Sequence, residues 1–291
     1  MANVNYAAEY SRALAQAYPY LSYFGEIWAA NNSNLYKPGM GKTVYIPSLT
    51  TGGARAADRD NLTGAFTRNW DNAFTPKTLD MDREWDTLVD PMDIDETNMI
   101  ATLANITRIF NETQKVPEMD AYLAAKLASF ATPDTTALTV ANVLTKWDAY
   151  LEQLADARVP RDRVKAYVTP AVHTLLKQTA GVTRFIDVAS EGGINRNVSS
   201  LDGVTLHIVP SDLMKSAYDF STGWKAATGA KQTNLILVDP EAVAAPVKYE
   251  TSMMGEPTAQ SKGKYLYYER YYYGAFAIPN RAAGIIVNQD A

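Results

Sequence analysis

The chain contains no cysteine and only two histidines, His173 and His207, among its 291 residues. Without cysteine, a disulfide framework, a thiolate nucleophile and a cysteine metal site are all excluded. A serine nucleophile would need a histidine base and an orienting acid, and the sequence has no G-x-S-x-G motif. His173 falls in a predicted helix and His207 in a predicted strand, so we interpret both as structural residues. We therefore expect no enzyme activity.

Long apolar runs and an excess of basic residues are also missing. No run approaches the roughly 18 apolar residues that cross a bilayer, and the first residues lack the basic and apolar regions of a signal peptide. The formal net charge is −5. A protein that works by neutralising nucleic-acid phosphates needs a basic face, so this charge argues against such a role. It remains compatible with a protein that surrounds nucleic acid without gripping it.

Two segments that suggest ligand binding do not meet the requirements of the sites they resemble. G-M-G-K-T at residues 39–43 lacks the first glycine of a phosphate loop and a preceding buried strand. D-M-D-R-E-W-D at residues 80–86 offers carboxylates, but a calcium loop needs a turn with a glycine at its bend. A solvated or salt-bridged face is the ordinary role of such a charge run. We predict neither a cofactor nor a metal site.

The sequence is rich in tyrosine near its end, where K-Y-L-Y-Y-E-R-Y-Y-Y-G-A-F occupies residues 264–276 and holds six of the eighteen tyrosines. Tyrosine favours strands, and alternate residues of a strand face opposite sides. One face carries Tyr265, Tyr267, Tyr271 and Tyr273, and the other Leu266, Tyr268, Tyr272 and Phe276. Because both faces are aromatic, we predict a strand covered on both sides, with a subunit boundary nearby.

The first ninety residues predict two extended segments. Residues 7–30 have helical periodicity with mostly aromatic apolar positions, interrupted by Pro19. This helix docks either on its own domain or on a neighbour. Residues 43–49 and 78–89 are predicted strands separated by a polar connection of about thirty residues, a length that is uncommon within compact domains. Because an isolated hairpin is marginally stable, we expect a long β-arm that lies on another subunit; a flexible surface loop is the alternative.

The remaining sequence alternates helices and strands, which predicts mixed α and β structure. Residues 95–110 and a stretch beginning at Pro117 are predicted helices, either separate or joined as one long, interrupted helix. An amphipathic stripe covers residues 140–154, and residues 215–233 are interpreted as a surface loop. The other predicted elements are a short helix at 171–178 and strands at 163–168, 204–209, 235–238 and 284–287.

The order of these elements resembles the major capsid proteins of tailed bacteriophages, which have the Hong Kong 97-like fold. P-K-T-L-D-M-D-R-E-W-D-T-L-V-D-P-M-D-I-D-E-T-N at residues 76–98 is similar to the return strand of that family's extended loop, running into its spine helix. V-P-E-M-D-A-Y-L-A-A-K-L-A at 116–128 is similar to the later part of the spine helix. Y-Y-Y-G-A-F-A-I-P-N-R-A-A-G-I-I-V at 271–287 is similar to the closing strands of its peripheral domain.

The resemblance implies an α+β, Hong Kong 97-like capsid fold built from four parts. These are an N-terminal arm at residues 1–40, an extended β-hairpin loop at 41–90, a peripheral domain with a long spine helix at 91–137 and 246–291, and a mixed α/β axial domain at 138–245. The expected assembly contacts lie in the arm, the loop and the tyrosine strand: Tyr18, Tyr23, Trp28, Arg55, Arg59, Arg68, Trp70, Tyr268 and Tyr272.

The function implied by the resemblance is self-assembly, through pentamers and hexamers, into an icosahedral head shell that encloses double-stranded DNA without sequence-specific binding. A portal and separate scaffolding or decoration proteins are the further partners implied, with the virion as location after assembly in the bacterial cytoplasm and no membrane contact. No motif matches the isopeptide cross-link of some members, and none is predicted. An encapsulin-like compartment shell is the alternative with the same fold; a hydrolase-like or ligand-binding enzyme is the alternative of a different class.

Overall fold

A computed structural model describes residues 22–30, 36–54, 68–92, 103–179 and 198–291. The helices are α1 (Gly25–Trp28), α2 (Leu103–Phe110), α3 (Val116–Phe130), α4 (Val143–Asp156) and α5 (Pro170–Gln178). None of the helices in these ranges is long and apolar enough to cross a membrane.

The strands form one mixed five-stranded sheet, two three-stranded sheets and two short pairs. In chain order they are β1 (Lys37–Pro38), β2 (Thr43–Thr51), β3 (Trp70–Thr78), β4 (Met81–Val89), β5 (Lys165–Val168), β6 (Ser200–Leu201), β7 (Val204–Ile208), β8 (Tyr218–Asp219), β9 (Lys225–Ala226), β10 (Thr233–Val238), β11 (Val243–Ala244), β12 (Val247–Gly255), β13 (Tyr265–Tyr273), β14 (Phe276–Ala277) and β15 (Ile285–Gln289).

Helices α2 and α3 are joined by a π-helical turn, Asn111–Lys115, into one continuous helix about 40 Å long. This confirms the alternative of a single, interrupted helix. Pro117 lies in the first turn of α3. A proline inside an α-helix collides with the carbonyl four residues before it, and the wider π turn at this point relieves that contact. Residues 95–102 of the predicted helix lie outside the described part of the chain.

The tyrosine-rich segment forms β13, the central strand of the sheet β12-β13-β4, so the predicted strand is confirmed. Tyr267, Tyr271 and Tyr273 are buried on the face that packs against the long helix. The opposite face is only partly covered, since Leu266 is 41% exposed. Within one subunit only the inner face is fully covered, and cover of the opposite face at a subunit boundary stays a prediction.

Strands β2 and β3 form a hairpin that is paired along its whole length, from Thr43 with Thr78 to Thr51 with Trp70. The sequence placed the return strand at residues 78–89, and this was wrong. Those residues instead contribute β4, which pairs with β13. The chain passes from one sheet to the other at Leu79, which is buried against Val44 and Tyr272. This change depends on a tertiary contact, which the local alternation of apolar and polar residues does not reveal.

The five-stranded sheet has the order β15-β10-β5-β7-β6, in which only the β5–β7 pair is parallel. Helices α4 and α5 cover one face, and the long helix and α1 lie on the other. The resemblance placed the last strand in a domain with residues 246–291, whereas β15 hydrogen-bonds to β10. Ile285 and Val287 pack towards the long helix and Ile286 towards α4, as expected for a strand covered on both faces.

Smaller departures from the sequence prediction concern short elements. The segment 215–233, interpreted as a surface loop, contains the short hairpin β8–β9. Strand β12 was not predicted. The predicted strands at residues 163–168, 204–209 and 235–238 and the predicted helix at 171–178 are present as β5, β7, β10 and α5. The amphipathic stripe forms α4, with Trp147 and Leu154 among its buried residues.

Candidate assembly surface

The predicted contact residues do not form one cluster. Tyr18, Arg55 and Arg59 lie outside the described residues. Tyr23 and Trp28 belong to the segment around α1, where the Trp28 ring meets Tyr273 edge-on with centroids 6.1 Å apart. This segment packs on its own subunit, because Phe24 and Ile27 are fully buried in the main core. Residues 22–30 therefore dock on their own domain, which is the first of the two predicted alternatives.

The β2–β3 hairpin exposes an apolar face. Leu49 is 64% exposed, Phe74 56% and Trp70 51%. The register pairs Pro47 with Phe74 and Thr51 with Trp70, and because residues alternate across a strand, these side chains share one face with Leu49. Exposed apolar side chains that cluster in this way are typical of an interaction surface. We call this set the apolar hairpin face.

The other face of the hairpin is polar at corresponding positions. Ser48 is paired with Ala73, and Thr50 with Asp71. Their hydroxyl groups donate to backbone carbonyls of the partner strand, at 3.3 Å from Ser48 to Ala73 and 3.4 Å from Thr50 to Asp71. The hairpin is therefore two-sided although neither side is buried at these positions. Such an amphipathic pattern is expected where one side contacts another surface.

At the far end of the hairpin, Arg68 lies over the Trp70 ring at 4.2 Å from its centroid. Its Nε donates to the Trp70 carbonyl at 3.0 Å. At this distance the guanidinium makes a cation–π contact with the Trp70 ring. Two of the predicted contact residues, Arg68 and Trp70, thus lie together and exposed at the end of the apolar hairpin face.

The face of β12-β13-β4 that turns away from the long helix has an apolar end, which we call the outer sheet face. The strand register aligns Leu266 with Leu88, and Tyr268 with Met253 and Asp86. Leu88 is 56% exposed and Met253 61%. The predicted contact residue Tyr268 belongs to this surface, and its hydroxyl donates to Glu84 at 3.3 Å.

The other end of the same face carries charged side chains that already pair with one another. Arg270 makes two hydrogen bonds to Asp82, at 3.0 and 2.9 Å, and Lys42 approaches the same carboxylate at 2.7 Å. The hydrogen bond from Arg270, followed by that from Lys42, lowers the pKa of the Asp82 carboxyl to about 2. Tyr272 is buried here with Val44 and Leu79, so it contacts its own hairpin base rather than a free surface.

The inner face of the sheet contains a buried ion pair that the sequence did not predict. Lys115 Nζ lies 2.7 Å from Glu269 Oε1, and both side chains are buried. The Tyr267 hydroxyl donates to Glu269 at 2.8 Å, and the Lys115 ammonium lies 3.9 Å from the centre of the Tyr271 ring. Burial is the largest influence on Lys115 and lowers the pKa of its amine, against the opposing effect of Glu269.

A second charged pair extends this buried network. Arg83 Nε lies 2.7 Å from Glu118, and the Tyr273 hydroxyl donates to the same carboxylate at 2.9 Å. Strand β4, strand β13 and helix α3 are thereby fixed to one another by directional contacts. A sheet held in this way presents its outer face as a rigid surface, which favours its use as a docking platform.

Solved phage capsid structures share this arrangement of elements. The capsid of the cyanophage P-SCSP1u gives a TM-score of 0.58 at 14% identity, covering 88% of this chain and 85% of that one. The mature capsid of bacteriophage PhiM1 gives 0.57 at 12%, covering 85% and 82%, and the capsid of Ralstonia phage GP4 gives 0.52 at 11%, covering 87% and 84%. The chain has the fold of tailed-phage capsid proteins. No family model and no curated protein matches it.

In this capsid fold the two histidines occupy packed positions. His173 in α5 places Nε2 3.2 Å from the Val198 carbonyl. His207 in β7 stacks on Tyr167, with ring centroids 5.2 Å apart. Burial lowers the pKa of both imidazoles. Within the described ranges, no three histidine, aspartate or glutamate side chains are grouped so that they could hold a metal ion.

Proposed function

We propose that the chain is a shell subunit that self-assembles into the icosahedral head of a tailed bacteriophage, enclosing double-stranded DNA. The apolar hairpin face, exposed within a phage capsid fold, is the observation that carries this proposal. Two strands that expose Leu49, Trp70 and Phe74 to water are not a stable arrangement by themselves. A neighbouring subunit that covers them removes this difficulty.

The outer sheet face supplies a suitable surface for that contact. It combines exposed Leu88, Met253 and Leu266 with the carboxylate of Asp86, and the hairpin combines apolar side chains with Arg68. Apolar surfaces with opposite charges at their rims are complementary in both packing and electrostatics. We propose that the hairpin of one subunit lies on the outer sheet face of the next. A head-to-tail contact of this kind generates closed rings when the rotation from one subunit to the next completes a full turn.

The size of such contacts accounts for a shell held without covalent bonds. Obligate interfaces bury on the order of 2,000 Å² or more. If half of that area is apolar, burial contributes about 25 kcal/mol at roughly 25 cal/mol per Å², before the ordering of the hairpin is subtracted.

The finer assignments extend the same proposal. We keep the roles that the sequence resemblance implied for the arm, the extended loop, the peripheral domain and the axial domain. The axial domain lies around the fivefold and sixfold axes. We assign β15 to the axial domain, because it belongs to the five-stranded sheet. The predicted contacts Tyr18, Arg55, Arg59, Arg68 and Trp70 belong to subunit interfaces, whereas Tyr23 and Trp28 belong to the segment that packs on its own subunit. The net charge of −5 suits a wall that does not bind DNA tightly during packaging.

The partners and location proposed are those of a head shell. The subunit forms pentamers and hexamers with itself, and it meets a portal and separate scaffolding or decoration proteins. Assembly takes place in the bacterial cytoplasm and the product is the virion. The named structural matches are phage capsids, which favours this function over an encapsulin-like compartment.

Electron microscopy of the expressed protein, alone and with the neighbouring phage proteins, tests the proposal. We expect capsomers or closed shells. The variant L49S/F74S, which makes the apolar hairpin face polar, should not form shells, whereas the control Ala73→Ser on the polar face of the same hairpin should. Persistent monomers from the unmodified chain under all these conditions would contradict the proposed function.

A further inference from the structure

A single carboxyl group joins the segment around α1 to the long helix. Asp120 in α3 is completely buried. Its two oxygens accept hydrogen bonds from the Ser22 hydroxyl and, at 2.7 Å, from the Tyr23 backbone N–H. The next residues, Phe24 and Ile27, insert into the main core and are fully buried. Residues 22–28 are thus docked by this buried polar anchor and two buried apolar side chains, together with the Trp28 ring on Tyr273 and the ion pair of Glu26 with Lys165.

Among the described residues, no lysine, arginine or histidine forms an ion pair with Asp120. The basic side chains Lys165 and His207 lie against a different carboxylate, that of Glu26 in α1, at 3.0 Å and 3.6 Å. Several titratable groups lie on the elements that pack around the anchor. The long helix and the loop after β7 contribute the cavity-lining carboxylates Glu112 and Asp212. The remaining groups are Glu26 on α1, Lys165 and Tyr167 on β5, and His207 on β7.

Burial without a cation makes the charged form of Asp120 unfavourable. Desolvation raises the pKa of its carboxyl to about 7, although the hydrogen bonds from Ser22 and Tyr23 act in the opposite direction. Burial raises the pKa of the Tyr167 phenol, and the carboxylates of Glu26 and Asp120 add to this effect. The carboxyl therefore changes its charge near neutral pH while it remains in contact with the docked segment.

The docked segment also borders an open space. A cavity of about 340 Å³ lies between it, the long helix and the loop after β7, and both Tyr23 and Asp120 line it together with Leu213 and Trp224. The cavity lies on one side of the anchor, so water enters there first when the docked segment moves away, before the rest of the core is exposed. Release of residues 22–28 is therefore a local event rather than a global one.

We propose that Asp120 makes residues 22–28 a pH-sensitive latch, which is held on the long helix while the carboxyl is protonated and opens more readily once it ionises. The sign follows from linkage. A carboxyl whose pKa is raised in the docked state binds a proton that the released state gives up, so docking is strongest at low pH and weakens as pH rises from about 4 to 7. The latch does not depend on shell formation.

Amide hydrogen exchange of the full-length chain, corrected for the intrinsic pH dependence of exchange, measures the latch directly. We expect protection of the peptide covering residues 22–30 to fall about tenfold between pH 6 and 8.5. A peptide from α4 is the internal reference and should not change. Asp120→Asn keeps the shape and an acceptor oxygen but removes the titration, so its protection should be the same at both pH values.

Two further variants separate the latch from general effects of charge. Glu112→Gln changes a carboxylate that lines the same cavity on the same helix, and it should keep the pH dependence of the unmodified chain. Ser22→Ala removes a donor to the Asp120 carboxylate, which should move the midpoint of the protection change to higher pH. Equal protection at pH 6 and 8.5 in the unmodified chain would overturn the proposal, as would an unshifted midpoint in Ser22→Ala.

Discussion

At the scale of single residues, the buried pair Lys115–Glu269 joins the central strand of the sheet to the long helix. We predict that Lys115→Met lowers the free energy of unfolding by about 3–5 kcal/mol, because it leaves the Glu269 carboxylate buried without its ammonium partner. Urea denaturation followed by circular dichroism measures this loss.

The double variant K115M/E269L should recover most of that stability, since removal of both charges abolishes the desolvation penalty as well as the attraction. The matched control is Arg108→Met, which breaks the exposed pair between Arg108 and Glu112 and should change the free energy of unfolding by less than about 0.5 kcal/mol. If the double variant were as unstable as Lys115→Met, an unpaired buried carboxylate would not be the cause of the loss.

A second prediction at this scale concerns Asp82 and acid pH. The pKa of its carboxyl is lowered to about 2, first by the hydrogen bond from Arg270. A carboxyl with a lowered pKa contributes stability above its unfolded value of about 3.9 and loses it as pH falls towards 2. Asp82→Asn should therefore be less stable than the unmodified chain at pH 6, and the difference should shrink between pH 4 and 2. Urea midpoints at these pH values provide the measurement, and a difference independent of pH would contradict this account.

The residues of β13 show which interactions can be predicted from sequence. The alternation of tyrosines assigned Tyr267, Tyr271 and Tyr273 to one face, and the structure confirms it. Glu269 stands on the same face in the middle of that run, and a carboxylate there requires a buried partner. The partner is 154 positions away in the sequence, so no local pattern could identify Lys115.

At the scale of elements, local periodicity predicted most helices and strands but not how strands are paired. The stripe of α4 and the apolar strands β5, β7 and β10 carry their own signal. The boundary between β3 and β4 carries no such signal, because apolar and polar residues alternate without a break over residues 78–89. The chain leaves one sheet for the other only where Leu79 meets Tyr272. The placement of β15 beside β10 is likewise a matter of topology. Strand β12 could have been predicted, because β-favouring and apolar residues alternate along it at Val247, Tyr249, Thr251 and Met253.

The hairpin provides the prediction at this scale. Its register pairs Ile46 with Thr75, so replacement of residues 47–74 by an Asn-Gly turn shortens it in register. The contact between Val44, Leu79 and Tyr272 remains, and the free energy of unfolding should change by no more than about 1 kcal/mol. Shells should not form, because the apolar hairpin face is gone. Urea denaturation and negative-stain microscopy measure the two outcomes, and normal particles would exclude the hairpin as an assembly element.

At the scale of the whole molecule, we propose that folding and assembly use opposite faces of the same sheet. The inner face of the sheet is completed within the subunit by the long helix, through the ion pair of Glu269 in β13 with Lys115 and that of Arg83 in β4 with Glu118. The outer sheet face keeps Leu88, Met253 and Leu266 exposed. A subunit built in this way is stable before it assembles and still has apolar area to bury on assembly. The two contributions can be separated by changing adjacent tyrosines.

Tyr268 and Tyr267 are neighbours in sequence but lie on opposite faces of β13, so the same substitution tests assembly at one position and folding at the other. Tyr267→Asp places a carboxylate beside Glu269 in the core and should lower the free energy of unfolding by about 3 kcal/mol or more. Tyr268→Asp changes an outward side chain, so the subunit should stay folded, while the yield of shells falls at least tenfold. Circular dichroism with urea measures the first effect, and sedimentation of particles measures the second. If Tyr268→Asp assembled as well as the unmodified chain, the outer sheet face would not be the surface on which the neighbouring subunit lies.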